Sequence, residues 1–239
     1  MKRTRLADGK FRSLPESSVR VAVLSDAASE RNEVGSYYYD LVPQFELLGF
    51  QIEMFHPERY QGCSLPMPGD STQRLPLPPV RALHQQLCRF DPHLLVLPTP
   101  GFYGLYGLWF AGRKKRPFIV AHHTDLEALT SHYCRPPWDS VVRLGWRTLN
   151  ERLFRRAEGL VTTCARMESQ INDLGVVSVF RPGTVLGSEF MRPPVRRAGP
   201  LRSILFAGRL AAEKNLVAFL QASQAYPDIE FHSYCWRWS

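Results

Sequence analysis

Residues 19–25 read Val-Arg-Val-Ala-Val-Leu-Ser, an apolar run broken only by Arg20 before it closes on Ser25. A run this short and this continuous predicts a strand buried on both faces of a parallel sheet, because a half-buried strand would alternate. The same kind of text recurs at Leu94–Leu97 (LLVL), Phe118–His122 (FIVAH), Leu160–Thr163 (LVTT) and Val176–Phe180 (VVSVF), with the alternating Gln51–Phe55 (QIEMF) as a further strand. Helical text lies between them. Tyr37–Leu48 predicts a helix that Pro43 is placed to cut or kink, and Val80, Leu83, Leu87 and Phe90 recur at helical spacing. Over 140–156, Val142, Trp146, Leu149 and Leu153 share one stripe while Arg143, Arg147, Glu151 and Arg155 lie off it. A turn or short helix is expected between the strands at 94 and 118, and a helix over Ala165–Leu174. Residues 56–79, with Pro57, Pro66, Pro68, Pro76, Pro78 and Pro79, predict a long loop. Strand alternating with helix is the pattern of the α/β class, a doubly wound parallel sheet covered on both faces.

The prolines and glycines at 182–200 punctuate this pattern, after which Ser203–Ala207, Leu216–Ala225 and Ile229–His232 form a fresh strand–helix–strand unit. The expected division is a basic, disordered extension at 1–18, a main domain at 19–186, a linker at 187–200 and an incomplete second unit at 201–239. The total of 239 residues agrees, being about one and a half typical domains. Composition excludes several classes. A chain 44% hydrophobic and 22% charged is globular, neither disordered nor fibrous. Cys63, Cys88, Cys134, Cys164 and Cys235 are scattered, without a C-x-x-C, which argues against a disulfide scaffold or structural zinc and for a reducing cytosol. Met1–Ser18 lacks the apolar stretch of a secretory signal. Pro98 and Pro100 split the long uncharged segment 94–112 below the length of a bilayer span.

The formal net charge of +8 gathers in clusters at Arg113–Arg116, along Arg143, Arg147, Arg152, Arg155 and Arg156, and at Arg192, Arg196 and Arg197. Such clusters suit an anionic partner or merely solvate a surface. No zinc-finger, basic-zipper or RNA-binding signature accompanies them, so nucleic acid is not expected. In a doubly wound sheet, ligands meet the loops at the carboxyl ends of the strands. Loop 26–36 ends on Gly35, which either brings backbone amides to a phosphate or only relaxes a turn. Gly101 and Gly104 in 98–104 admit either a bulky ligand or close helix packing. In His122-His123-Thr124-Asp125, an imidazole at a strand end can hydrogen-bond a hydroxyl, and Thr124 and Asp125 can equally cap the next helix. Arg209 and Lys214, five residues apart at a helix entrance, have the reach to bind one diphosphate.

Together, VRVAVLSD at 19–26, PTPGFYGLYGL at 98–108, HHTD at 122–125, EGLVTTCARMESQINDLGV at 158–176, RPGTVLGSEFMRP at 181–193 and ILFAGRLAAEKNL at 204–216 resemble the family 4 glycosyltransferases. These have the GT-B fold of two Rossmann-like domains, and the text is most similar to bacterial lipid and polysaccharide mannosyl- or glucosyltransferases. The resemblance implies a Rossmann-like acceptor-side domain followed by the start of a donor-side one. It also implies retaining, metal-independent transfer from a nucleotide sugar to a lipid or saccharide hydroxyl, with no cofactor. By motif, Arg209 and Lys214 bind the donor diphosphate and steady the leaving charge. His123 lies near the transferred sugar, Gly35 approaches the diphosphate, and Gly101, Tyr103, Thr124 and Asp125 face the acceptor. The basic clusters then suit docking on an anionic membrane, which places the chain in the cytoplasm, peripheral to the inner membrane face.

The text also departs from the family. Asn32-Glu33-Val34 puts a carboxylate where donor phosphates approach, and Gly183-Thr184-Val185 lacks the Asp that usually follows. The paired glutamates that hold the donor's sugar and ribose are absent, and Ser233–Ser239 reads as an out-of-frame tail on a truncated product. The reading from a different class is a non-catalytic α/β module that binds an anionic ligand, a membrane surface or a partner protein.

Overall fold

The computed structural model describes residues 19–27, 33–60, 62–67, 70–163, 165–172, 178–183, 199–211 and 214–236. The expected N-terminal extension, and the linker apart from its last two residues, lie outside the described residues. The main unit is a six-stranded, all-parallel sheet. In chain order its strands are β1 (Arg20–Leu24), β2 (Gln51–Phe55), β5 (Leu94–Leu97), β6 (Phe118–His122), β7 (Gly159–Thr162) and β8 (Val179–Phe180). They lie side by side as β2-β1-β5-β6-β7-β8. The order reverses between β1 and β5, so the crevice at their carboxyl ends is the switch point of a Rossmann-like sheet. Register is set by Val21 opposite Ile52 on one side and Leu94 on the other.

Successive side chains of β1 part to opposite faces, as the strand period requires. Ala22 and Leu24 join a core with Leu83, Leu87, Tyr106, Phe110, Leu153 and Ile171. These come from α2 (Val80–Phe90), α3 (Phe102–Lys114), α5 (Trp138–Phe154) and α6 (Ala165–Asn172). Val23 turns the other way and packs with Val34, Tyr37 and Tyr38 of α1 (Glu33–Leu47). The continuous apolar text of 19–25 thus has its physical cause in a sheet covered on both sides. α1 runs through Pro43 without ending there; the residue whose carbonyl the proline releases, Tyr39, is exposed.

Three segments differ from the sequence expectation. The proline-rich stretch holds an antiparallel hairpin, β3 (Ser64–Met67) and β4 (Asp70–Pro76), that pairs with neither neighbouring sheet. A two-stranded ribbon is all edge, so Pro66 and Pro76 can sit where no ladder donor is needed. The segment after β5 is a full helix, α3, because Tyr103, Tyr106, Gly107 and Phe110 bury one continuous face. The last strand, β10 (Glu230–Trp236), runs four residues beyond the expected Ile229–His232, the added aromatic and Cys text suiting a ladder. It pairs in parallel with β9 (Ser203–Arg209), Tyr234 opposite Ala207 and Trp236 opposite Arg209. α7 (Leu216–Ala225) joins the two strands and packs by Phe219, whose ring lies 5.6 Å from Phe206 and 5.3 Å from Phe231.

The glycines of α3 are fixed by what touches them. A Cβ on Gly104 would overlap the Thr99 carbonyl, and one on Gly101 would overlap the Asp26 carboxylate. Gly112, in the same helix, faces open space. Gly104→Ala should therefore lower the stability read from urea denaturation by about 1–3 kcal/mol. Gly112→Ala should raise it by roughly 0.5–1 kcal/mol; equal shifts for the two would contradict this packing.

Candidate functional site

At the switch point the chain leaves β1 through Ser25 and Asp26 and leaves β5 through Pro98 and Thr99. The Asp26 carboxylate joins these ends. Thr99 Oγ1 donates to its Oδ2 at 2.6 Å, and the Tyr103 amide donates to its Oδ1 at 2.9 Å. The Asp26 amide in turn donates to Thr99 Oγ1 at 2.9 Å, and the Gly104 amide reaches Oδ2 at 3.5 Å. Asp26 thus occupies the N-terminus of α3, where free amides and the helix dipole favour an anion. Enclosure in this pocket pushes its carboxyl pKa up to about 6, against the lowering effect of the donors from Thr99, Tyr103 and Gly104.

Next to it, β6 ends on His122, and His123 follows and diverges from it. The His122 ring lies 5.3 Å from Phe154 of α5, on one side of the sheet. His123 turns to the other side, with its ring 4.9 Å from Tyr37 and 5.7 Å from Tyr38 of α1. Its Nε2 lies 3.4 Å from Tyr38 Oη. Burial pulls the His123 pKa down to about 4, with the neighbouring His122 acting in the same direction. Burial raises the Tyr38 phenol far above its ordinary value. At neutral pH the pair is therefore an uncharged imidazole against an intact phenol. With Nε2 engaged by Tyr38, Nδ1 is the ring nitrogen without a partner among the described residues, able to hydrogen-bond a hydroxyl without introducing charge.

The other residues singled out by sequence fall as follows. Gly35 is buried inside the first turn of α1 and does not end a loop. Gly101 and Gly104 face Asp26 and Thr99, so close packing is the reason for both. Tyr103 is 1% exposed, with its ring 6.4 Å from Tyr60; it belongs to the core with Leu24, Phe55 and Phe110, because its helix turns that side chain onto the sheet. Asp125 caps α4 (Leu126–Tyr133), its Oδ1 accepting from the Ala128 amide at 3.0 Å. Thr124 beside it is exposed. Arg209 closes β9, and its side chain lies outside the described residues. Lys214 is exposed just ahead of α7. The fold therefore brings His123 together with α1, next to the Asp26 crevice, while Arg209 and Lys214 belong to the β9–β10 unit. Among the described residues no group of three His, Cys, Asp or Glu gathers as metal ligands.

Sequence reasoning missed Asp26, Thr99, Tyr37 and Tyr38 as parts of the site. An acidic residue directly after a buried strand was the available signal for Asp26. The consecutive tyrosines at 37 and 38 were the signal for the contact with His123.

Comparison with known proteins bears on residues 11–183, which match the family model described as a glycosyl transferase 4-like domain. No curated protein sequence matches the chain. Among solved structures, the Cra transcriptional dual regulator from Pseudomonas putida in complex with fructose 1-phosphate is similar at 14% identity and a TM-score of 0.30. That alignment covers 92% of this chain and 58% of that one. So low a TM-score carries no argument about ligand or function.

Asp26 and His123 predict opposing pH dependences. Asp26 has a folded pKa of about 6 against 3.8 for the free side chain, so between those values the native state holds more protons than the unfolded one. Its contribution to stability then falls as pH rises. His123, at about 4 against 6.5, does the reverse, and its contribution falls as pH drops through that window. Each amounts to about 3 kcal/mol across its window. Urea melts between pH 4 and 6.5 should show Asp26→Asn gaining a steeper rise with pH, and His123→Gln gaining a fall. Parallel profiles for wild type and both variants would refute these assignments.

Proposed function

The chain belongs to the glycosyl transferase 4-like family, and from that premise we propose that it moves a hexosyl group from a nucleotide sugar to an acceptor hydroxyl with retention of configuration. The observation that carries this reading is the neutral His123 imidazole held by Tyr38 at the carboxyl end of β6. An uncharged ring suits a sugar hydroxyl, whereas an imidazolium would compete with the cations that must meet the diphosphate. Arg209 and Lys214 are assigned to that diphosphate, where positive charge steadies the departing phosphate as the glycosidic bond breaks. In this reading the buried Gly35 lets the first turn of α1 approach the same group. The acceptor, a lipid or saccharide, lies over Thr124 and the Asp125 cap, near Gly101 and Tyr103. No metal or cofactor enters the reaction.

The test begins with binding. Saturating UDP- or GDP-sugar should stabilise the wild-type chain in a thermal melt, by about 2.7 kcal/mol at a hundred times the dissociation constant. Arg209→Ala should abolish that gain. With the matching acceptor, His123→Ala should lower transfer about a hundredfold, and the anomeric proton of the product should show retained configuration by NMR. A wild-type chain that no nucleotide sugar stabilises would overturn the proposal and favour the non-catalytic module.

A further inference from the structure

On the outer surface of the main unit, α2 and α3 meet through three side chains that form a relay ending on a thiol. Tyr106 Oη lies 2.8 Å from His84 Nδ1, and His84 Nε2 lies 3.5 Å from Cys88 Sγ. His84 and Cys88 are four residues apart on α2 and so share one of its faces. The inner end of the relay is fixed: Tyr106 belongs to the core, and the His84 ring lies 5.9 Å from Phe110 and 5.8 Å from Trp109. The outer end is open, because Cys88 is exposed and in no disulfide.

The proton positions follow from this geometry. Burial pushes the Tyr106 phenol up to about 12, so at neutral pH its O–H is intact and can donate to Nδ1. An imidazole that accepts at Nδ1 carries its proton on Nε2, the nitrogen that faces the sulfur. That N–H is a donor for a thiolate, the form of cysteine that attacks. A nucleophile, a ring within its reach and a third group that orients the ring are the parts of an activated thiol. Cys63 is exposed as well, yet among the described residues no histidine meets its sulfur.

Beside the relay opens a groove of about 460 Å³ whose lining includes Val80, Arg81, His84, Tyr106 and Trp109. Trp109 is 52% exposed, so its indole is an open apolar wall. The charge around the groove has one sign, since neither α2 nor α3 contains an acidic residue. Arg81, Arg89 and Arg113 are exposed, and none forms an ion pair among the described residues. Asp91, which follows α2, is engaged by Arg20 at 3.1 Å and Arg116 at 2.6 Å. A molecule that reaches Cys88 therefore meets an apolar wall and cations without carboxylate partners, which suits a short chain bearing carboxylates.

We propose that Cys88 is a site of reversible S-thiolation, exchanging with a small disulfide that carries carboxylates and holding one half of it along the groove. Cys88 gives its proton to solvent, and its thiolate attacks one sulfur of the disulfide. A new S–S bond forms to Cys88 as the old one breaks, and the other half departs as a thiolate. That thiolate takes a proton back from solvent, so the exchange needs no further oxidant. The site stands apart from the transfer reaction, and a chain that binds no nucleotide sugar would still be thiolated.

Incubation of the full chain with oxidised glutathione, followed by peptide mapping in a mass spectrometer, tests the proposal. Cys88 should be thiolated about tenfold faster than Cys63, and dithiothreitol should release the adduct. That comparison is read on the wild type and needs no variant to fold. His84→Gln should slow Cys88 about tenfold and Tyr106→Phe about threefold, with Cys63 unchanged in both. Arg81→Gln with Arg113→Gln should slow the reaction with oxidised glutathione about threefold and leave that with neutral hydroxyethyl disulfide unchanged. Circular dichroism melts should show every variant folded. The proposal falls if Cys63 keeps pace with Cys88, or if folded His84→Gln reacts as the wild type does. It falls equally if loss of the arginines slows both disulfides alike, or if Cys88 instead joins two chains in a disulfide dimer on a non-reducing gel.

Discussion

One carboxylate organises the crevice on which the rest depends. Asp26 leaves the end of β1, takes the Thr99 hydroxyl from the end of β5, and caps α3 through the Tyr103 amide. Hydrogen bonds to a charged group are worth about 1.5–3 kcal/mol each, yet the enclosure that makes them strong also raises the carboxyl pKa toward neutrality. The cap is therefore strong and titratable at once. It dictates its surroundings: position 101 cannot carry a side chain beside the carboxylate, and position 104 cannot carry one beside the Thr99 carbonyl. It also decides what the crevice can bind. The amides that would greet an external anion at the start of α3 are already used by the protein's own carboxylate.

His123 is shaped by a different constraint. It sits one residue beyond β6, on the side of the sheet covered by α1, and is enclosed by Tyr37 and Tyr38. Charge is excluded there by desolvation, and the ring keeps a neutral donor–acceptor character across the physiological range. The crevice and the histidine thus oppose each other electrically: one group holds a proton longer than a free carboxylate does, the other releases it sooner than a free imidazole does.

Much of this frame was legible in the amino-acid text. Apolar runs at 19–25, 94–97 and 118–122 located three central strands because they are too short for a buried helix and rich in β-branched residues. Val142, Trp146, Leu149 and Leu153 marked the inner side of α5 correctly in type, with Trp146 and Leu153 buried and the other two partly so. The hairpin at 64–76 was hidden because its prolines signal a loop to any local reading, and only pairing between distant residues shows that they sit on an edge. α3 was underestimated for a related reason: glycines at 104, 107 and 112 weaken helical propensity, while the contacts that require two of them come from β1 and β5. The residues around the site divide in the same way. The position of His123 just past a strand was legible from the apolar text of 118–122. Its partner Tyr38 was not, since nothing local says which side of α1 will face it.

The divergence of His122 and His123 carries a lesson about inheritance. Adjacent residues at a strand end point to opposite sides, so the identity of each imidazole is a matter of parity. Gaining or losing one residue within β6 would exchange them, delivering the ring now against Phe154 to the tyrosines and sending the other away. A change of two would restore the arrangement. The span from Phe118 to Thr124 should therefore drift in composition far more freely than in length, and indels there should come in even steps.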